Sequence, residues 1–259
     1  MRKWLILCLL LVIVAITACQ KENHEENTEL IQPVEENENV DNDENDEIAY
    51  ANIYPLTGIG TNDSVDHRIV GVMINNHHAA RPQSGVSHAD IVFEILAEGS
   101  ITRWLALFHS EQPDMVGPVR SAREYYFDLT ERYDGLYVYH GAADVVEETL
   151  RNRGIDRLNG SIYDNDGYLF TRESFRNAPH NSYLHFNHVY DVAEDKGYDI
   201  IRPVAPLEFL NPDEAVDGEQ ASHVTLMYPG RSEASAIEFI YDEIQGHYER
   251  SENGEKTVA

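Results

Sequence analysis

One segment of this sequence combines arginine, serine and glycine in an order that favours anion binding. The motif Gly117-Pro-Val-Arg-Ser-Ala-Arg123 places Arg120 and Arg123 on either side of Ser121, just ahead of Glu124. A serine followed three residues later by a glutamate is the pattern of a capping box, so we expect a helix to open at Ser121. A helix amino end exposes free amides and the positive end of the helix dipole, which attract carboxylate or phosphate.

Further arginines could converge on this helix end. Arg81 and Arg103 lie on neighbouring segments, and guanidinium groups grip carboxylates and phosphates in a planar, two-pronged geometry. The hypothesis is a pocket for a peptide-stem carboxylate of peptidoglycan or for a wall-polymer phosphate. In the alternative interpretation, Ser121 only caps the helix and the arginines pair with nearby carboxylates, namely Asp90, Glu94 and Glu98.

Glu94 and Glu98 are also candidates for acid and base catalysis. Four residues apart, they share a face on either a helix or a strand, and glycoside cleavage needs two carboxylates roughly 5–10 Å apart. Strand residues at this spacing lie roughly 13 Å apart along the backbone. Ion pairs with the arginines are therefore the favoured interpretation.

Among the twelve histidines, His140 and His180 are the candidates for a general base. His140 follows a predicted strand next to Gly141, and His180 follows Pro179, in loop positions that often carry function. Each could equally be a structural hydrogen-bond donor. Because the sequence contains no zinc-binding spacing, GxSxG motif, phosphate loop or dinucleotide fingerprint, we expect no metal and no cofactor.

The elements that must position these residues alternate between strands and helices. An apolar run at residues 69–74 predicts a buried strand, and two runs separated by Gly99-Ser100 predict a β-hairpin. Tyr125, Leu129 and Tyr133 predict one face of the helix that opens at Ser121 and closes at Gly135. The other predicted strands are residues 136–140, 224–228, 237–241 and 245–250, and the other predicted helices are residues 142–153 and 187–196.

The first residues are typical of a lipoprotein leader. Arg2 and Lys3 precede 13 apolar residues, 4–16, which are too few to span roughly 30 Å of hydrocarbon comfortably. Ile-Thr-Ala-Cys19 then matches a lipobox, so residues 1–18 are the predicted signal peptide and Cys19 the predicted site of lipidation, with acyl chains such as palmitate. The only other cysteine, Cys8, lies inside the leader, which excludes disulfides and thiol chemistry from the mature chain.

The strong negative charge of the chain restricts the classes of molecule that it can bind. The net charge is −27, and residues 20–50 alone carry nine Glu and three Asp against one Lys. Residues 19–51 are therefore the predicted lipidated, disordered tether, since such a segment cannot bury enough apolar surface to fold. Nucleic acid is excluded as a partner because its recognition needs positive patches, and the expected membrane attachment is through lipid on Cys19.

Several motifs resemble those of the YerB-like lipoprotein family, whose amino-terminal domain is of the DUF3048 type. They are Ala80-Arg-Pro-Gln-Ser-Gly85, Ala89-Asp-Ile-Val-Phe-Glu94, Glu98-Gly-Ser-Ile-Thr-Arg103, Gly117-Pro-Val-Arg-Ser-Ala-Arg123, His140-Gly141 and Ala178-Pro-His-Asn181. The resemblance covers most of residues 55–200 and implies a Gram-positive lipoprotein with a layered domain of two sheets and a helical layer. It brings no known reaction.

The sequence thus predicts an α+β fold. Residues 52–203 are the predicted amino-terminal domain, a layered sandwich of two β-sheets with a helical layer. Residues 204–259 are predicted to form an incomplete β-rich carboxyl-terminal unit, which we expect to be truncated. The predicted function is a lipid-anchored extracytoplasmic protein that binds an anionic wall component or an envelope partner protein. The alternative is a hydrolase or other enzyme that acts on peptidoglycan or a wall polymer, with a histidine base and an arginine-lined anion pocket. The predicted ligand-binding residues are Arg81, Arg103, Arg120, Ser121, Arg123 and Asn181.

Overall fold

The computed structural model describes residues 50–211, 214–230 and 236–257, all within one compact unit, Ile48–Ala259. The predicted signal peptide, Cys19 and all but the last two residues of the tether lie outside the described residues. Among those described, no helix is long and apolar enough to cross a membrane. The predicted boundary after residue 203 stays a prediction.

Strands dominate the described residues. In chain order they are β1 (Asn52–Ile53), β2 (Gly60–Thr61), β3 (Val70–Asn75), β4 (Ile91–Leu96), β5 (Thr102–Phe108), β6 (Met115–Val116), β7 (Leu136–Tyr139), β8 (Arg157–Asn159), β9 (Phe170–Arg172), β10 (Ser182–His185), β11 (His223–Leu226), β12 (Ile237–Asp242), β13 (His247–Glu252) and β14 (Glu255–Lys256). The α-helices are α1 (Glu124–Arg132), α2 (Asp144–Asn152) and α3 (Val189–Asp195).

A five-stranded sheet with the order β4-β5-β3-β7-β8 forms the centre of the fold. The predicted hairpin is confirmed as β4 and β5, paired from Ile91↔Leu107 to Leu96↔Thr102. The predicted buried strand is confirmed as β3, whose six residues are all buried. Because β3, β7 and β8 run parallel, their carboxyl ends meet at one edge of the sheet.

Apolar side chains cover both faces of this sheet, which explains the layers. On one face, β3 and β5 pack with a three-stranded sheet of order β6-β10-β9 and with α3. On the other face, Met73, Leu105 and Tyr137 pack with α1 and α2. Two sheets with a helical layer are therefore confirmed, as is the α+β class.

The helix predicted from Ser121 differs in start and face. α1 begins at Glu124, after Arg123, and has no side-chain cap. Residues 119–122 are held extended instead, because Arg120 N–H donates to the Met73 carbonyl (2.9 Å) and Ala122 N–H to the Gly141 carbonyl (3.0 Å). The buried face of α1 contains Tyr126, Phe127 and Thr130, whereas Tyr125 is 37 % exposed. Tertiary hydrogen bonds thus override the capping pattern.

The carboxyl-terminal residues form the predicted β-rich unit. β11, β12, β13 and β14 pair antiparallel in that order, and β14 returns for only two residues after the predicted turn at 252–255. This sheet contacts the central one, since the Arg250 guanidinium lies over the Trp104 ring at 5.1 Å.

Candidate functional site

The candidate site lies where the parallel strands β3, β7 and β8 end. Residues 117–120 cross this edge. Val119 N–H donates to the Ser182 carbonyl (2.7 Å), and the Arg120 carbonyl accepts from His140 N–H (3.0 Å). Ligands of sheets with parallel strands characteristically bind beyond the carboxyl ends of those strands. The backbone therefore brings Arg120 to a position suited to binding, together with residues that follow β3 and β7.

The Arg120 side chain is partly buried. In the part of the chain that the structure describes, it makes no hydrogen bond or ion pair, although every other partly or fully buried arginine there makes at least one. Burial, followed by the positive charge of Arg123, lowers the pKa of Arg120. A guanidinium nevertheless stays charged at neutral pH. Arg120 is thus a cation partly removed from water with its donors unused.

His180 presents a second unused donor close to Arg120. The Asn75 Oδ1 atom accepts from the backbone N–H of His77 (3.1 Å), so its Nδ2 must be the atom facing His180 Nδ1 at 2.9 Å. Nδ1 therefore accepts, and in the neutral ring the proton is on Nε2. Burial lowers the pKa of His180, as does the charge of Arg120. At neutral pH this histidine offers an Nε2–H group.

His77 is oriented in the same way. Its Nδ1 accepts from Ala79 N–H at 3.1 Å, which leaves the proton on Nε2, and its ring stacks on that of His180 with centroids 4.7 Å apart. Burial lowers the pKa of His77 too, with contributions from His78, His180 and Arg120. Neither Nε2–H has a protein acceptor within the described ranges. We call Arg120, His77 and His180 the donor cluster. All three groups offer protons, and within the described residues none is hydrogen-bonded or ion-paired to a carboxylate, although the charge of Glu98 acts on Arg120 from a distance.

His140 has both ring nitrogens engaged. Arg172 Nη2 can only donate, so His140 Nε2 accepts from it (3.0 Å), and Nδ1–H donates to Ser182 Oγ (2.7 Å). Burial and the neighbouring charge of Arg172 lower the pKa of this histidine. Arg172 is itself held by Asp164 (2.6 Å) and by Asn181 Oδ1 (3.0 Å). This geometry leaves no free lone pair for a general base on His140 and commits the Asn181 carbonyl oxygen to Arg172.

Arg103 and Arg123 share one carboxylate. Arg103 donates to Glu98 Oε2 (2.7 Å) and to the Ser121 carbonyl (2.8 Å). Arg123 pairs with Glu98 Oε1 and donates to the Ala122 carbonyl (2.6 Å). We call Glu98, Arg103 and Arg123 the Glu98 cluster. In this cluster Glu98 forms ion pairs with arginines, as was favoured from the sequence. The Ser121 hydroxyl does not cap α1.

Glu94 and Arg81 contact the carboxyl-terminal sheet instead. Glu94 accepts from Arg250 (2.8 Å) and from the Thr102 hydroxyl (2.7 Å), while Arg81 pairs with the buried Glu252 (2.7 Å). Glu94 and Glu98 thus serve separate ion pairs. Because the charge of Arg81 is matched by that of Glu252, Arg81 is not a free cation that could bind an anionic ligand.

Sequence reasoning identified Arg120 and His180 but missed Asn75 and did not select His77. The signal in the sequence was the polar run Asn75-Asn76-His77-His78, which immediately follows the apolar run predicted as a strand at residues 69–74. Loop residues at such positions tend to be functional. Within the described ranges, no group of three or more His, Cys, Asp or Glu side chains is arranged to hold a metal ion.

Residues 56–199 match a family described as "Protein of unknown function (DUF3048) N-terminal domain". The chain is also 38 % identical over 256 residues to a Bacillus subtilis (strain 168) protein named "Putative lipoprotein YerB", covering 98 % of this chain and 70 % of that protein. The chain belongs to the DUF3048 family. The motifs quoted from the sequence correctly indicated this membership.

A solved structure of a DUF3048 relative supports the fold. The crystal structure of YerB protein from Bacillus subtilis matches with a TM-score of 0.70 and 40 % identity, over 80 % of this chain and 68 % of that one. The relative's name carries the word lipoprotein. The DUF3048 description itself supplies no ligand and no reaction.

Proposed function

We propose that this chain is a lipid-anchored protein of the outer face of the cytoplasmic membrane that binds an anionic cell-wall component through the donor cluster. The anchor is supported by the lipobox ending at Cys19, the 13-residue apolar leader and the name of the Bacillus subtilis relative. The lipid would hold the protein at the membrane, because its net charge of −27 gives anionic lipid no reason to attract it.

The observation that carries the binding role is Arg120. A buried or partly buried cation without a hydrogen-bonded partner is costly, and a protein as acidic as this one has carboxylates available to neutralise it. Instead, Arg120 is accompanied by two imidazoles whose Nε2–H groups have no acceptor among the residues that the structure describes. Preorganised donors around one cation suit an anionic oxygen group, such as a wall-polymer phosphate or a peptide-stem carboxylate.

Catalysis has weaker support. The best-placed histidine base, His140, donates to Ser182 and accepts from Arg172. His180 Nδ1 is occupied by Asn75. We therefore favour binding without cleavage, and the experiment below measures both.

The test is sedimentation of the full chain, in an uncharged and sugar-free detergent, with purified cell walls that retain their anionic polymers. We expect Arg120→Ala to lower the fraction bound at least tenfold, and to leave the urea unfolding midpoint unchanged. Arg132→Ala is the matched control, because Arg132 is an exposed arginine at the end of α1 with the same charge. Released wall fragments would reveal cleavage.

Equal wall binding by the wild type, Arg120→Ala and Arg132→Ala would sink the proposal. Equal losses for the two variants would do so as well, since they would point to general charge attraction. Release of fragments by the wild type would replace binding with hydrolysis.

A further inference from the structure

A cavity of about 260 Å³ adjoins the donor cluster and shares His180 with it. Its lining residues are Ala79, Ser174, Phe175, Arg176, Asn177 and His180. The volume is slightly below the ~300 Å³ at which pockets for drug-sized ligands begin. It therefore has room for a single ring beside whatever anion the donor cluster holds.

Phe175 gives this cavity an exposed aromatic wall. The side chain is 62 % exposed, although Phe is among the residues most often buried. Its ring contacts Tyr183, with centroids 5.5 Å apart, and the Arg176 guanidinium at 5.7 Å. The ring is thus supported by its neighbours while much of its surface stays open, which is the arrangement of a stacking platform.

Arg176 is fixed as part of the wall and is not available as a second anion site. Its guanidinium donates to the Tyr183 hydroxyl (2.9 Å), to the carbonyls of Arg81 (2.9 Å) and Ala79 (3.1 Å), and to the Pro82 carbonyl. A guanidinium with this many backbone acceptors is preorganised and has few donors left. The cavity is consequently rigid on the Arg176 side.

The remaining polar lining is neutral. In the described residues, the hydroxyl of Ser174 and the side-chain amide of Asn177 make no hydrogen bond, and the Asn177 backbone carbonyl accepts from His180 N–H (2.9 Å). An aromatic face combined with an uncharged hydroxyl and amide matches a sugar ring, which has an apolar C–H face and a rim of hydroxyl groups.

We infer that this cavity is a sugar-binding subsite, and that the ligand of the donor cluster is a glycan whose ring carries the anionic group. The ring would stack on Phe175 while its phosphate or carboxylate reaches Arg120 and the histidine Nε2–H groups. This inference rests on the proposed function, because His180 links the two parts of the site. It adds the substrate class, an anionic sugar, which charge alone does not select.

The test compares three probes on the full chain by calorimetry in the same sugar-free detergent: inorganic phosphate, methyl phosphate and N-acetylglucosamine 1-phosphate. Methyl phosphate matches the monoester charge without the ring. We expect the sugar phosphate to bind about tenfold more tightly than methyl phosphate, as stacking on one aromatic ring together with one or two hydrogen bonds would give.

Phe175→Ala should abolish this tenfold gain and leave methyl phosphate affinity unchanged, while Phe175→Trp should keep the gain. Phe209→Ala is the matched control, since Phe209 is an exposed phenylalanine outside the cavity lining. A gain that survives in Phe175→Ala, or no gain in the wild type, would overturn the subsite and leave anion binding standing. Failure of all three probes to bind would overturn the proposed function and this inference together.

Discussion

Two groups of basic side chains in this molecule are held in opposite ways. In the Glu98 cluster, Arg103 is 7 % exposed and its guanidinium is matched by a carboxylate and a backbone carbonyl. In the donor cluster, Arg120 has no such partner among the described residues, and the two histidines beside it add donors. The charges of the Glu98 cluster fix the chain ahead of α1. The donor cluster instead keeps N–H groups that no described residue accepts from, so they are free to bind a ligand.

This difference teaches how to separate architecture from function in an arginine-rich segment. Arg120 and Arg123 are three residues apart and were indistinguishable as sequence features. The hydrogen-bond and ion-pair partners of each arginine distinguish the two. A guanidinium that is matched by protein groups stabilises the fold and has few donors left for a ligand. An unmatched one costs stability and is retained where it has another use.

The largest expected effect lies in the Glu98 cluster. We expect Arg103→Ala to lower the free energy of unfolding by roughly 3 kcal/mol, because it removes the buried stem and leaves the Ser121 carbonyl without its donor. Urea unfolding followed by circular dichroism measures this. Arg120→Ala, measured alongside, should change stability by less than about 0.5 kcal/mol. Equal destabilisation by the two variants would erase the distinction between the clusters.

A smaller effect is expected when the shared carboxylate loses its charge. Glu98 is more than half exposed, so Glu98→Gln should cost only about 1 kcal/mol of stability. It should also raise the affinity for inorganic phosphate about threefold, since the Glu98 charge acts on Arg120 and opposes an incoming anion. Glu124→Gln is the control, as an exposed acidic residue in the first turn of α1. Unchanged phosphate affinity in Glu98→Gln would mean that the two clusters are electrostatically independent.

The fold could be predicted from sequence further than the site could. β3, the β4–β5 hairpin and the carboxyl-terminal strands follow from local apolar runs and turn residues. The start of α1 does not, because Ala122 donates a hydrogen bond to Gly141, a residue of the loop between β7 and α2. The donor cluster could not be predicted from local sequence either, because contacts between residues far apart in the chain assemble it. Asn75 sets the protonated nitrogen of His180 from 105 positions away. The two segments are brought together by residues 118–119, since Asn75 N–H donates to the Pro118 carbonyl and Val119 N–H to the Ser182 carbonyl.

The smallest expected effect tests whether the donor cluster works with neutral rings. Burial holds the pKa values of His77 and His180 below 6.5, so both are uncharged at pH 8 and donate through Nε2–H. We therefore expect sulfate, whose charge is constant over this range, to bind at pH 8. His180→Ala should weaken this binding about twofold, which is the low end of the net worth of one hydrogen bond. Because a bound anion favours the imidazolium form, wild-type affinity should rise as the pH falls below 6.5, and the rise should be smaller in His180→Ala. His247→Ala, at an exposed histidine on β13, is the control. If sulfate binding vanished above pH 7, the anion would depend on charged histidines, and the tautomers fixed by Asn75 and Ala79 would not be what recognises it.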